Sequence, residues 1–156
     1  MRHDWSTYAS EGHRLLVMTI RVAEQLGKAG DRFLKPYRIT LVQLNILAVL
    51  STAPDGLPQS KLSERLVVSR ANVTGLVRRL KALGLCKTVG HPGDARVKTV
   101  KLTPAGRKLL DRLQAPYFAE IERFTGAFRE AEKKAASDLF ERLEAVLRGP
   151  GARRKG

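Results

Sequence analysis

Ser69, Arg70, Asn72, Thr74, Arg78 and Arg79 lie close together in one run, SRANVTGLVRRLKALG, that spans residues 69–84. Their side chains make one kind of chemistry available. Serine and threonine hydroxyls donate to phosphate oxygens, asparagine pairs bidentately with adenine, and arginine pairs with guanine or holds a phosphate. Val73, Leu76, Val77 and Leu80 recur at i, i+3, i+4 and i+7, so they share one face of a helix. The opposite face carries Ala71, Gly75 and Arg78, flanked by Asn72, Thr74 and Arg79. Small side chains beside long basic ones suit a helix whose backbone comes close to a charged surface, and DNA is the surface that fits. Gly75 costs about 1 kcal/mol relative to alanine in a helix interior. Close approach to DNA explains it, and so does packing against a neighbouring helix.

The elements that must position this helix are legible on either side. Ser60–Leu66 reads as a short amphipathic helix with Leu62 and Leu66 inward; Val67 and Val68 turn the chain, and Ser69 caps the second helix. Two helices joined by so short a turn make a helix-turn-helix. Gly84 stands where a helix end takes left-handed geometry. LCKTV and VKTVKL then have strand composition, separated by the hairpin-like loop GHPGDAR. A helix-turn-helix succeeded by a two-stranded hairpin is a winged helix.

Upstream, residues 10–34 are helix-like, with Leu16, Ile20, Ala23 and Leu26 along one side, and Pro36 ends the run. Thr40 and Gln43 fit a capping box before the apolar run LVQLNILAVL, a buried helix that ends before Pro54. PDGLP is a turn with at most a short strand. Downstream, Thr103 caps and Pro104 opens another helical stretch. There Leu110, Leu113, Tyr117, Ile121, Phe124 and Phe128 keep helical spacing through Pro116. Either one helix kinked at Pro116 or two helices meeting there satisfies that pattern. A last helix carries Ala136, Leu139, Phe140, Leu143 and Leu147.

The 29 Lys and Arg residues against 15 Asp and Glu give a net charge of +14. Residues 41–103 hold 10 basic and 3 acidic side chains, half of that excess. A localised basic segment supplies counterion-release affinity for a polyanion and speeds encounter. One cysteine builds no disulfide framework, no Cys/His cluster has zinc spacing, and no run has the length of a membrane span. The start of the chain lacks the basic-then-apolar order of a signal peptide, so a cytoplasmic location is expected. Paired catalytic carboxylates, a nucleophile elbow and a phosphate-cradling glycine loop are all missing, which argues against an enzyme. No cofactor or metal is expected.

Residues 40–110 resemble the MarR (multiple antibiotic resistance regulator) family of bacterial winged-helix transcription factors. The likeness rests on TLVQLNILAVL, on SKLSERLVVSRANVTGLVRRLKALGL with its Asn72-Val73-Thr74 segment, and on GDARVKTVKLTPAG with Asp94, Arg96, Leu102, Thr103 and Gly106. One arginine stands at the wing tip where many members carry a pair. The resemblance implies that Ser69, Arg70, Asn72, Thr74 and Arg78 face the major groove, with Arg79 beside them. Arg96 is suited to the narrow, strongly negative minor groove of A·T-rich DNA. Asp94 either orients Arg96 by a charge-assisted bond or shapes the turn after Gly93. His91 and Lys98 are placed for phosphates. Cys86, at the start of the first wing strand, reads as packing.

The expected architecture is mainly α (α+β). It comprises an N-terminal helical dimerisation segment (1–40), a winged helix-turn-helix lobe with a two-stranded wing (41–103), C-terminal dimerisation helices (104–148) and a basic tail (149–156). The terminal helices carry more apolar residues than a lone lobe buries, Phe118, Phe124, Phe128, Leu139, Phe140 and Leu143 among them. A two-fold homodimer removes that patch, and the resemblance implies the same arrangement. The expected function is a sequence-specific repressor of double-stranded DNA with a pseudo-palindromic operator. The resemblance adds release by a small aromatic or anionic effector near the junction where Arg14, Arg21 and Arg38 lie. The alternative is an architectural, non-specific nucleic-acid binder.

Overall fold

The computed structural model describes residues 8–66, 70–91 and 94–149, with the backbone alone described at residues 70, 71, 91 and 94–97. The order is α1 (Glu11–Leu34), a 3-10 turn (Lys35–Tyr37), α2 (Leu41–Ser51), β1 (Leu57–Pro58), α3 (Gln59–Leu66) and α4 (Arg70–Ala82). A hairpin of β2 (Cys86–His91) and β3 (Asp94–Leu102) comes next, then α5 (Pro104–Thr125) and α6 (Glu130–Arg148). The chain forms two compact units that divide within α5, between Asp111 and Arg112.

In the first unit, Ser10 caps α1 by accepting from the His13 amide at 3.1 Å. The chain leaves α1 through the 3-10 turn and a left-handed Arg38, whose φ is 60°. Asp31 Oδ1 accepts from the Leu41 amide at 2.7 Å and so ties the end of α1 to the start of α2. The expected capping box is present: Gln43 N donates to Thr40 Oγ1 at 3.3 Å, and Thr40 N donates to Gln43 Oε1 at 3.0 Å. Helix α2 is apolar on nearly every side and buries Leu44, Ile46, Leu47 and Leu50, as a central helix must. Leu62 of α3 and Val73, Val77 and Leu80 of α4 complete that core.

The short strand that PDGLP allows is present and joins the two-stranded wing as a third strand. Two-residue β1 pairs antiparallel with β3, Leu57 opposite Val100 and Pro58 opposite Thr99, giving a three-stranded sheet in the order β1-β3-β2. The hairpin also runs further than expected. Its strands continue to His91 and Asp94, which pair with each other after a register shift at Gly90/His91, so most of the expected loop GHPGDAR is strand. Backbone pairing outweighs the turn preferences of Gly90 and Asp94. The turn at Val67 and Val68 and the cap at Ser69 lie outside the described residues.

One knot joins α4, the sheet and α5. Gly84, at φ 70°, ends α4: its amide donates to Lys81 O at 2.9 Å and that of Leu85 to Leu80 O at 2.9 Å, a Schellman cap. Thr103 donates its hydroxyl to Gly84 O at 2.6 Å and accepts from the Gly106 amide at 3.1 Å, starting α5 where expected. Gly106 is buried so tightly that a Cβ there would stand 2.2 Å from Leu85 O.

Helix α5 is continuous across Pro116, so a single helix, not two, satisfies the pattern there. In the second unit, Arg129 is the N-cap of α6, and its amide donates to Glu132 Oε2 at 2.8 Å. No single helix among the described residues is long and apolar enough to cross a membrane.

Candidate nucleic-acid interface

Helix α4 has the two faces its spacing requires. Val73, Val77 and Leu80 are no more than 1% exposed and lock it into the core, with Leu76 half-buried beside them. Asn72, Thr74, Arg78 and Arg79 are exposed. Neither Arg78 nor Arg79 forms an ion pair with a described residue, so both keep their charge for an outside partner. Arg70 opens the helix, with its backbone described and its side chain not; Ser69 lies outside the described residues.

Gly75 separates its two explanations. No described atom lies within 4 Å of the place a Cβ would take. Packing against a described neighbouring helix therefore does not account for the glycine. Thr74 has a neighbour that spacing along α4 cannot reveal: its hydroxyl donates to Oε1 of Gln59, the first residue of α3, at 2.8 Å. Sequence periodicity gives Gln59 no role, since it stands fifteen positions away on another helix.

On the hairpin, His91 closes β2 while Asp94 and Arg96 lie on β3, and the expected Asp94–Arg96 contact falls on side chains that are not described. Lys98 is exposed, opposite Gly90. Cys86 is 3% exposed, its Sγ 3.8 Å from Val77 O. Burial pushes its thiol up to about 11, against a smaller opposing effect of the Lys81 charge. It stays protonated at neutral pH and packs α4 against the wing, as its small size allows.

Arg79 also faces a second feature of the same unit. A cavity of about 480 Å³ is lined by Asp31, Lys35, Arg38, Ile39, Thr40, Gln43, Arg79, Ala82 and Leu83. Three cations face one carboxylate there, and that carboxylate already accepts from the Leu41 amide. Of the three arginines expected near the junction, Arg38 lines this cavity and Arg14 and Arg21 do not. Among the described residues no group of three His, Cys, Asp or Glu side chains is placed to hold a metal ion.

The sequence profile of the MarR family matches residues 39–97, which run from the start of α2 to the tip region of the wing. The transcriptional activatory protein BadR of Rhodopseudomonas palustris is 31% identical over 115 residues, 70% of this chain and 66% of that protein. The HTH-type transcriptional regulator PrsX of Escherichia coli is 30% identical over 118 residues, 73% of this chain and 71% of that one. The chain belongs to the MarR family.

As a MarR-family protein it is a winged-helix, DNA-binding transcription regulator. Solved structures agree on the fold. The S. aureus MepR–DNA complex matches with a TM-score of 0.77 at 21% identity, covering 84% of this chain and 96% of MepR. CouR from Rhodococcus jostii RHA1, solved with p-coumaroyl-CoA bound, matches with a TM-score of 0.74 at 20% identity, covering 93% and 96%. The profile match takes in α3, α4 and most of the hairpin, and every expected DNA-facing position except Lys98 falls within its residues.

Proposed function

We propose that this MarR-family chain is a homodimeric repressor, acting in the cytoplasm, that reads a pseudo-palindromic operator with α4. The observation that carries the reading is the division of α4 itself. A stripe sealed in the core fixes the helix, while Asn72, Thr74, Arg78 and an open-faced Gly75 stand on the other side. Ser69 and Arg70 begin the same surface, and Arg79 borders it. His91, Asp94, Arg96 and Lys98 belong to the hairpin, with Arg96 taking the minor groove.

A second copy of this chain is the partner that the exposed apolar residues call for. In the first unit, Leu16, Ile20, Val22 and Leu26 of α1 are 47, 69, 45 and 48% exposed. In the second, Phe118, Phe128 and Phe140 are 59, 56 and 46% exposed. Faces of that kind are covered in dimers. Two copies of α4 then meet half-sites one helical turn, about 10 base pairs, apart in an inverted repeat.

The cavity bordered by Lys35, Arg38 and Arg79 is suited to a small anion with an apolar or aromatic body, since Ile39, Ala82 and Leu83 supply the apolar wall. A ligand there releases DNA only by binding one arrangement of the lobes better than the other.

Footprinting over DNA flanking the gene, with random-sequence competitor, tests the reading. A protected inverted repeat is expected. Uniform, salt-sensitive coating without a protected repeat identifies a non-specific binder and refutes sequence-specific regulation. A reporter driven by the protected site separates repression from the activation for which BadR is named.

A further inference from the structure

Helix α4 is held from the front as well as from the core. Thr74, on its exposed side, is bonded through its hydroxyl proton to Gln59 Oε1 at 2.8 Å, across fifteen residues of chain. A threonine hydroxyl has a single proton. In this arrangement that proton is directed at Gln59 Oε1.

A primary amide carries an acceptor oxygen on one branch of a plane and two N–H donors on the other. Fixing Oε1 on Thr74 orients that plane and leaves Nε2 as the group to be presented. Among the described residues nothing accepts from Nε2. Gln59 is half-buried, and its tip is tied to the exposed side of α4. A side chain already held in place gives up less rotamer freedom when a partner arrives.

We propose that Gln59 is a further DNA-contacting residue, which donates from Nε2 to an oxygen of the DNA backbone beside α4, and that Thr74 is the positioning residue that orients it. The inference rests on the reading of α4 as the DNA-facing helix. Backbone phosphate is the favoured acceptor because its oxygens accept only. Contacts flanking a recognition helix also go mostly to phosphate and sugar. Such a contact has two signatures. It carries no base preference, and, being made by an uncharged side chain, it releases no counterion.

The test uses the full chain, a labelled duplex carrying the footprinted site and a random-sequence duplex, with binding measured by anisotropy at several salt concentrations and unfolding measured separately. Gln59→Ala is expected to weaken both duplexes by a similar factor, about tenfold for a bond to a charged group, with the slope of log affinity against log salt unchanged. Gln59→Glu keeps the acceptor for Thr74, so its thermal midpoint stays at the parent value while affinity falls further than for Gln59→Ala. Thr74→Val weakens binding less than Gln59→Ala, and the double variant binds like Gln59→Ala alone.

Parent-like binding by Gln59→Ala overturns the proposal. So does a Gln59→Glu variant that binds as tightly as the parent, which would leave the pair a structural strut. A parent protein that protects no site at all refutes the reading of α4 instead, and that result is seen before any variant is made.

Discussion

Replacing Gly75 with alanine changes stability and DNA binding in opposite directions. Gly75 lies inside α4, where glycine costs about 1 kcal/mol against alanine through its backbone freedom. A Cβ at 75 meets no described atom within 4 Å, so no clash offsets the gain. The free protein is therefore stabilised by about 1 kcal/mol, which for a chain of this length raises the unfolding midpoint by about 2–4 °C. On DNA the same methyl occupies the space that the glycine keeps open. Overfilling a close-packed contact costs about 1–3 kcal/mol, a loss of about 5- to 150-fold in affinity. Thermal unfolding at matched protein concentration, because dimerisation shifts the midpoint, reads the first effect, and anisotropy with operator DNA reads the second. A variant that is more stable and binds like the parent refutes the close approach of backbone to DNA. One that is less stable refutes the reading of position 75 as an open helix face.

Arg78→Ala and Arg96→Ala are each expected to weaken operator binding severalfold or more while leaving the circular dichroism spectrum unchanged; parent-like titrations for both would place the DNA face elsewhere. Phe140→Glu puts a charge on an exposed apolar side chain of α6 and is expected to shift the protein from dimer to monomer in size-exclusion light scattering, with operator affinity falling alongside. Cys86 gives a pH signature. Its folded-state pKa of about 11 lies above the reference value of 9.0, so the folded protein holds that proton more tightly than the unfolded chain. The stability it contributes is intact below pH 9 and is lost as pH rises toward 11. Unfolding at a series of alkaline pH values should show that decline in the parent and a shallower one in Cys86→Ala.

Where local chemistry decides local structure, the sequence is a sufficient guide. The Thr40/Gln43 capping box, the Thr103-Pro104 helix start, the left-handed Gly84 and the sealed stripe of α4 all depend on residues within one or two turns of each other. The pairing of β1 with β3 is not legible in that way, because two residues have no period and the partners Val100 and Thr99 come more than forty positions later. The hairpin strands exceed their sequence signal for a related reason: glycine, proline and aspartate read as loop, while the ladder that carries His91 and Asp94 is cross-strand. At the interface, residue types on α4 are readable from one helical wheel. The Thr74–Gln59 bond is hidden because it joins different helices. Gly75 needs three dimensions as well, since helical spacing does not show that no described neighbour lies within 4 Å of a Cβ there.

The knot at Gly84, Leu85, Thr103 and Gly106 bears on how such a protein can be re-engineered. Thr103 serves α4 and α5 at once, through its bonds to Gly84 O and from the Gly106 amide. Gly106 leaves no room for any side chain against Leu85 O. The unit that can be exchanged between two such proteins is therefore not the thirteen residues of α4. A transplanted reading head has to carry the whole stretch from Arg70 to Gly106, or its far end arrives without its clasp.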